Sequence, residues 1–220
     1  MKDKSFKLGM VIIMKVLIIC AGDNKNSEKL KKYAQNSDYI ICADGGYLHA
    51  IENGISPDII VGDFDSAPPP EGIFNIVRLP DEKDITDGFY AFKFAVSKGA
   101  SEIVYYGGLG DRFDHSYANM CILDYTLERD IKTVLTDGQT EIYLIDSSIK
   151  LKRKAGVSIS VYAFSDFVEN VNLRGLKYKL NDYMLSKYDI IGTSNEFLSG
   201  KTAEISIASG KLLIIISSNK

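Results

Sequence analysis

The chain has 220 residues, long enough for one large domain or two modest ones. Its 26 basic and 29 acidic side chains leave a formal net charge of -3, so it carries no basic footprint for nucleic acid. Only two histidines, His49 and His115, are present, which excludes a multi-histidine metal site within one chain, and no stretch is long and apolar enough to span a membrane.

Lys2, Lys4 and Lys7, followed by an apolar run to Cys20, imitate the start of a secretion signal. Lys15 interrupts that run, and residues 15–20 read better as a first buried strand with Met14 as a natural start. Residues 1–13 are then an extension. Cys20, Cys42 and Cys121 are odd in number, sit in apolar surroundings and show neither CxxC nor zinc spacing. They read as reduced core thiols of a cytoplasmic protein.

The strand at 16–20 leads into Gly22-Asp23, and Ser27 offers an N-cap for a helix to about residue 34. Residues 39–43 form the second strand, followed by Asp44-Gly45-Gly46 and a short helix closed by Asn53-Gly54. The third strand, 59–61, is broken by Gly62, and a proline loop at 68–70 with Gly72 precedes a fourth strand at 74–79. Residues 80–84 lead into a helix to Lys98, whose Phe89, Phe92 and Val96 recur at helical spacing. A fifth strand at 103–106, a glycine-rich turn, a helix over 114–128 and a strand at 132–135 complete this half. Such alternation predicts an α/β fold: a mostly parallel sheet with helices on both faces.

The pattern changes near residue 140. Short strand-like segments follow at 141–145, 157–164, 169–173, 176–180, 190–193, 203–208 and 212–217, separated by Gly, Asn and Ser. They predict a smaller all-β sandwich or barrel, with domains at 14–138 and 139–220.

Carboxylates collect just beyond the predicted strands. Asp23 follows the first, Asp44 the second, Asp63 and Asp65 the third, Asp84 and Asp87 the fourth, Asp111 and Asp114 the fifth. That is the edge on which open α/β sheets bind ligands. Asp63 and Asp65, two apart on extended chain, project the same way and need a shared proton or a cation. Oxygen ligands of this kind suit Mg²⁺ carrying substrate phosphates. Taken singly, each aspartate has a plainer use: Asp63 and Ser66 as turn caps, Asp84 or Thr86 as a helix cap, Asp114 as complement to a helix dipole. Five clusters on one edge favour a metal-dependent phosphate site. The turn Gly107-Gly108-Leu109-Gly110-Asp111-Arg112 adds backbone N–H groups at a helix start and a guanidinium for phosphate oxygens. It is neither a GxxxxGK[ST] loop nor a dinucleotide fingerprint after the first strand. His115 reads equally as a phosphate or ribose contact and as a residue fixing the helix start.

The ordered motifs ADGG (43–46), GDFDS (62–66), DEKDITD (81–87), GDRFDH (110–115), GLKY (175–178) and GTSNEF (192–197) resemble thiamine pyrophosphokinase, from about Lys15 to the C-terminus. The resemblance implies an N-terminal α/β catalytic domain and a C-terminal β domain. It implies a homodimer with active sites shared between the catalytic domain of one subunit and the β domain of the other. The reaction implied is transfer of the terminal diphosphate of ATP to the hydroxyl of thiamine, giving thiamine diphosphate and AMP. Asp63, Asp65 and Asp87 would hold Mg²⁺ on the ATP phosphates, with Asp44 close by and Asp65 or Asp87 as proton acceptor. Lys83, Asp84, Thr86, Gly108 and Arg112 would contact ATP, and Asp114 and His115 would complete its pocket. Ser194 and Asn195 would meet the thiamine pyrimidine.

Asp111 departs from the family, which more often has a small residue there, and Lys179 stands where many bacterial relatives carry proline. With no Trp in the chain, ring stacking falls to Tyr or Phe; Tyr178 is the candidate by motif and reads otherwise as β-domain core. The basic residues between 150 and 179 read as a solvated strand face. Two rivals remain: a pyrophosphokinase acting on a hydroxymethyl pterin, and a non-catalytic nucleotide- or thiamine-binding regulator.

Overall fold

The computed structural model describes residues 13–64, 68, 72, 75–80, 84–110, 112–152 and 155–218. The first half runs β1 (Lys15–Ile19), α1 (Ser27–Gln35), β2 (Tyr39–Ala43), α2 (Gly46–Glu52), β3 (Ile59–Gly62), β4 (Ile76–Arg78), α3 (Asp87–Ser97), β5 (Glu102–Tyr106), α4 (Phe113–Leu127) and β6 (Lys132–Thr136). These strands pair in parallel in the order β4-β3-β2-β1-β5-β6. The chain builds outward from β1 in one direction and then, from β5, in the other. The carboxyl ends of β1 and β5 therefore flank a topological switch point, where such sheets bind ligands.

Side-chain alternation in the central strand makes the two helical layers. Val16 and Ile18 face Phe92, Ala95 and Leu123 of α3 and α4, whereas Leu17 and Ile19 face Leu30 and Tyr47 of α1 and α2. Each fully buried aliphatic side chain contributes about 2 kcal/mol, so a strand buried on both faces is a firm base for the loops at its end. The helices start where side chains satisfy their first amides. Asn26, rather than Ser27, caps α1 by accepting from the Lys29 amide at 3.0 Å. Thr86 accepts from the Phe89 amide at 3.2 Å, so α3 begins at Asp87 and not nearer residue 84.

The second half consists of β7 (Glu141–Ile145), β8 (Ser148–Leu151), β9 (Val157–Ala163), β10 (Phe167–Arg174), β11 (Leu180–Ser186), β12 (Asn195–Glu196), β13 (Ala203–Ser206) and β14 (Leu212–Ser218). Strand β7 pairs antiparallel with β6, and β14, β9 and β12 continue from it, giving a ten-stranded sheet. A separate antiparallel sheet, β11-β10-β13-β8, packs on this extension around Ile145, Val161, Val168, Leu173, Ile205 and Ile214. One layer of the sandwich is thus a continuation of the parallel sheet.

Several sequence expectations are corrected. Leu176 makes only an isolated bridge to Phe197, and the strand expected at 176–180 is displaced to β11. The pairing of β10 with β11 is irregular, with Asn170 and Asp182 in left-handed backbone, so strict alternation is lost. Residues 190–193 are a turn with Ile190 and Ile191 exposed, not a strand. Cys121 is exposed on α4, whereas Cys20 and Cys42 are buried.

The corner between β6 and β7 is fixed by Asp137. Its carboxylate accepts from the Gln139 and Thr140 amides at 2.9 and 2.6 Å and pairs with Lys25 at 2.9 Å, tying the corner to the loop after β1. Burial opposes its ionisation, but the Thr140 amide, the Lys25 ammonium and the Gln139 amide outweigh it and hold the carboxyl below its ordinary range. Asp137→Ala is expected to lose about 2 kcal/mol at pH 7. A carboxyl whose folded-state affinity for protons is lowered stabilises above its unfolded pKa and loses that contribution as pH falls through the folded value. Urea unfolding from pH 7 to pH 2.5 should therefore show the difference between wild type and variant shrinking below about pH 4.

Candidate active site

The loops at the carboxyl ends of β1 and β5 remain hydrogen-bonded beyond the strands. The Gly22 amide donates to the Gly107 carbonyl at 3.0 Å, and the Asp23 amide donates to that of Leu109 at 3.1 Å. His49 Nε2 donates to the Gly22 carbonyl at 2.8 Å, bracing the loop from α2. Ser116 Oγ, in the first turn of α4, accepts from the Gly110 amide at 3.2 Å and closes the glycine turn onto its helix. The result is a cavity of about 740 Å³ over the switch point.

Asp44, Asp63 and Asp87 converge on it. One carboxylate oxygen from each lies within 4.8 Å of the other two. Asp44 leaves β2 in left-handed backbone, φ 46°, with its amide donating to Val61 of β3 at 2.8 Å. Asp tolerates that conformation better than most residues, and strained backbone of this kind costs about 1 kcal/mol or more. Asp87 is the first residue of α3, where the helix dipole favours an anion. Like charges this close repel by about 3 kcal/mol per pair at an effective dielectric near 20. Buried Asp44 Oδ1 has no hydrogen-bond donor among the described residues. Three hard oxygen donors and an uncompensated lone pair fit a divalent cation of the Mg²⁺ type.

Asp84, Thr86, Gly108, Arg112 and His115 also line this cavity. Arg112 donates to Asp114 at 2.7 Å; that bond lowers the Asp114 carboxyl and raises the guanidinium. Asp65, Ser66, Lys83 and Asp111 lie outside the described residues. Asp23, Asp44, Asp63, Asp84 and Asp87 therefore face Arg112 as the described permanent cation of the lining. A phosphate ligand entering so acidic a cavity needs metal ions to bridge it to the carboxylates.

Ser194 and Asn195 do not line the cavity. Ser194 is exposed, with left-handed backbone, φ 56°. Asn195 is 4% exposed and spends both ends of its amide on backbone: Oδ1 accepts from the Tyr178 and Glu196 amides, each at 2.9 Å, and Nδ2 donates to the Tyr178 carbonyl at 2.6 Å. Tyr178 itself is 60% exposed rather than a core residue. Asn195 thus holds the GLKY segment in place with its aromatic ring presented outward.

A model of the family described as thiamin pyrophosphokinase, catalytic domain, matches residues 30–135, and one described as thiamin pyrophosphokinase, vitamin B1 binding domain, matches residues 146–212. The chain belongs to the thiamine pyrophosphokinase family. Members of this family are transferases, and theirs is a kinase reaction that uses ATP. The chain is 30% identical over 216 residues to thiamine pyrophosphokinase of Bacillus subtilis, covering 94% of this chain and 100% of the relative. The crystal structure of thiamine pyrophosphokinase from the same organism superposes with a TM-score of 0.84 at 25% identity, over 94% of this chain and 100% of that one. That of thiamin pyrophosphokinase from Geobacillus thermodenitrificans gives 0.82 at 26% identity, over 93% and 98%.

Several cavity residues of this family member escape a motif-based reading. Cys20, Tyr105, Ser116 and Asn119 all line the cavity. Cys20 read as a plain core thiol; burial pushes it up to about 12, so it is a neutral thiol at physiological pH. Ser116 and Asn119 lie three apart on α4, in line with buried Ile122, Leu123 and Thr126. Two polar residues at the head of an apolar helical stripe were the available signal.

Removing one of the three converging charges should relieve repulsion in the metal-free protein. Asp44→Asn is expected to raise stability by about 1–2 kcal/mol in EDTA and to abolish the thermal upshift that excess Mg²⁺ gives the wild type. Calorimetry of both proteins with and without MgCl₂ measures each effect.

Proposed function

We propose that the chain transfers the terminal diphosphate of Mg-ATP to the hydroxyl of thiamine, yielding thiamine diphosphate and AMP. The observation that carries this is the convergence of Asp44, Asp63 and Asp87 in a strand-end cavity, in a chain of this family. The family-model match over residues 146–212 favours thiamine over a hydroxymethyl pterin. The three carboxylates also argue against a purely regulatory binding module, because such a module has no need of a metal site.

Asp44, Asp63 and Asp87 would hold Mg²⁺, joined by Asp65 two residues beyond Asp63. Bound there, the ion would neutralise charge on the ATP phosphates. Arg112 would turn its fork to phosphate oxygens, with Asp114 keeping it in place between turnovers. Lys83, Asp84, Thr86, Gly108 and His115 would complete the nucleotide pocket. In the reaction the thiamine oxygen bonds to the β-phosphorus as the bond from that phosphorus to the α–β bridging oxygen breaks. AMP departs with the bridging oxygen, and the hydroxyl proton passes to Asp65 or Asp87. Positioning and charge neutralisation do most of such work, with little covalent chemistry for the protein to supply.

Residues 14–138 would then form the ATP-binding half and residues 139–220 the thiamine-binding and dimerisation half. We read the active form as a homodimer in which Ser194 and Asn195 of one subunit meet the thiamine pyrimidine at the active site formed with the catalytic half of the other. Two features support this. Ser194 and Asn195 stand apart from the cavity lining of their own chain. Tyr178, Tyr188, Ile190 and Ile191 leave an apolar surface beside them, as Phe113 and Tyr117 do at the head of α4. A cytoplasmic location agrees with three cysteines that form no disulfide. No described helix is long and apolar enough to cross a membrane.

Chromatographic separation of the products from Mg-ATP with and without thiamine tests the reaction. AMP and thiamine diphosphate should appear in equal amounts, and only when thiamine is present. ADP in place of AMP would replace diphosphate transfer with ordinary phosphorylation and overturn the proposal.

A further inference from the structure

Tyr105 lies beneath the cavity floor near the end of β5 and is 2% exposed. Its side chain is wedged between two glycines from different elements. A Cβ on Gly88, the residue after Asp87 in α3, would lie 2.0 Å from the Tyr105 hydroxyl oxygen. A Cβ on Gly108, in the glycine turn, would lie 2.5 Å from two carbons of the ring. Both approaches are open only to glycine, so the ring sets the spacing between the start of α3 and the turn.

The hydroxyl continues the contact through α4. It donates to Asn119 Oδ1 at 3.3 Å, and Asn119 Nδ2 donates to the Gly108 carbonyl at 2.8 Å. An amide has one acceptor end and one donor end. By occupying Oδ1, the tyrosine proton orients the amide so that its nitrogen faces Gly108. Tyr105, Gly88, Gly108 and Asn119 all line the same cavity. Among the described residues no other side chain donates to the Gly108 carbonyl.

We infer that Tyr105 and Asn119 are positioning residues for the nucleotide: the Tyr105 ring spaces Asp87 from the glycine turn, and its hydroxyl, acting through Asn119, fixes the turn that receives the phosphates. This rests on the cavity being the nucleotide site. The chain of contacts ends on the turn and on α3, and neither Ser194 nor Asn195 belongs to it. Its loss therefore acts on ATP and leaves thiamine recognition alone.

Tyr105→Phe keeps the ring and removes the hydroxyl. The expected result is a KM for Mg-ATP raised about tenfold, with kcat and the KM for thiamine within about twofold and the thermal midpoint within about 3 °C. Asn119→Leu keeps the volume without adding charge but can neither accept from the tyrosine nor donate to Gly108, so it should match Tyr105→Phe. The double variant should be no worse than either single one, because both act through one chain of contacts. Amide hydrogen exchange over residues 107–110, measured without substrates, should accelerate about tenfold in both variants while exchange in β1 and β5 is unchanged. Equal changes in both KM values, additive effects, or unaltered exchange at the turn would reduce Tyr105 to core packing and overturn the inference. A wild type that makes no AMP would overturn the proposed reaction instead, and the exchange measurement would still decide the positioning role.

Discussion

Everything at the carboxyl edge of the sheet answers to one constraint, the mutual repulsion of three carboxylates. Asp44, Asp63 and Asp87 bring an oxygen each within 4.8 Å of the others, although nothing in an apolar core rewards placing anions side by side. The fold meets the cost in identifiable ways. Asp87 opens a helix whose dipole favours its charge. The amide of Asp44, which leaves β2 in left-handed backbone, is held by the Val61 carbonyl of β3. Strands buried on both faces, in two separate apolar cores, supply the stability that allows an edge so rich in carboxylates. On the function proposed above, such a site would be completed by a cation and by the phosphates that the cation carries.

The same logic separates the two halves of the chain. The parallel half supplies acidic side chains and glycine-rich backbone, and the antiparallel half supplies aromatic and aliphatic surface, with Lys177 over the Tyr178 ring and Lys187 over the Tyr188 ring. Because β7, β14, β9 and β12 extend the parallel sheet by hydrogen bonding, the two halves are joined through a continuous ladder as well as by a linker. Asp137 sits at the change from parallel to antiparallel pairing and ties that corner to Lys25 in the loop after β1. The β half is thus braced against the loop that forms one wall of the strand-end cavity.

Much of this was legible in the residues. Apolar runs such as those at 16–20, 39–43 and 59–61, each with Gly or Asp within two residues of its end, marked the strands and the edge on which acidic residues collect. Spacing along the chain could not reveal the composition of the cluster. Asp63 and Asp65 are neighbours in sequence, but the partnership of Asp44 with Asp63 follows from β2 lying beside β3, and only the sheet order discloses that. Asn195 is the opposite case. Its motif marks it as a substrate contact, whereas its amide is engaged at both ends with the backbone of Tyr178 and Glu196, so the conformation of the GLKY segment is what it directly secures. Strand β11 was missed because the left-handed residues Asn170 and Asp182 break the alternation on which recognition of a strand depends.

The central claim is that Asp44, Asp63 and Asp87 form one cation site that serves a nucleotide. Crystals grown with Mn²⁺ and a non-hydrolysable ATP analogue allow the metal to be located by its anomalous scattering. The account predicts a peak at coordination distance from carboxylate oxygens of these three residues and from phosphate oxygens of the analogue. A metal bound by the phosphates alone, with the three carboxylates turned away from it, would contradict the account.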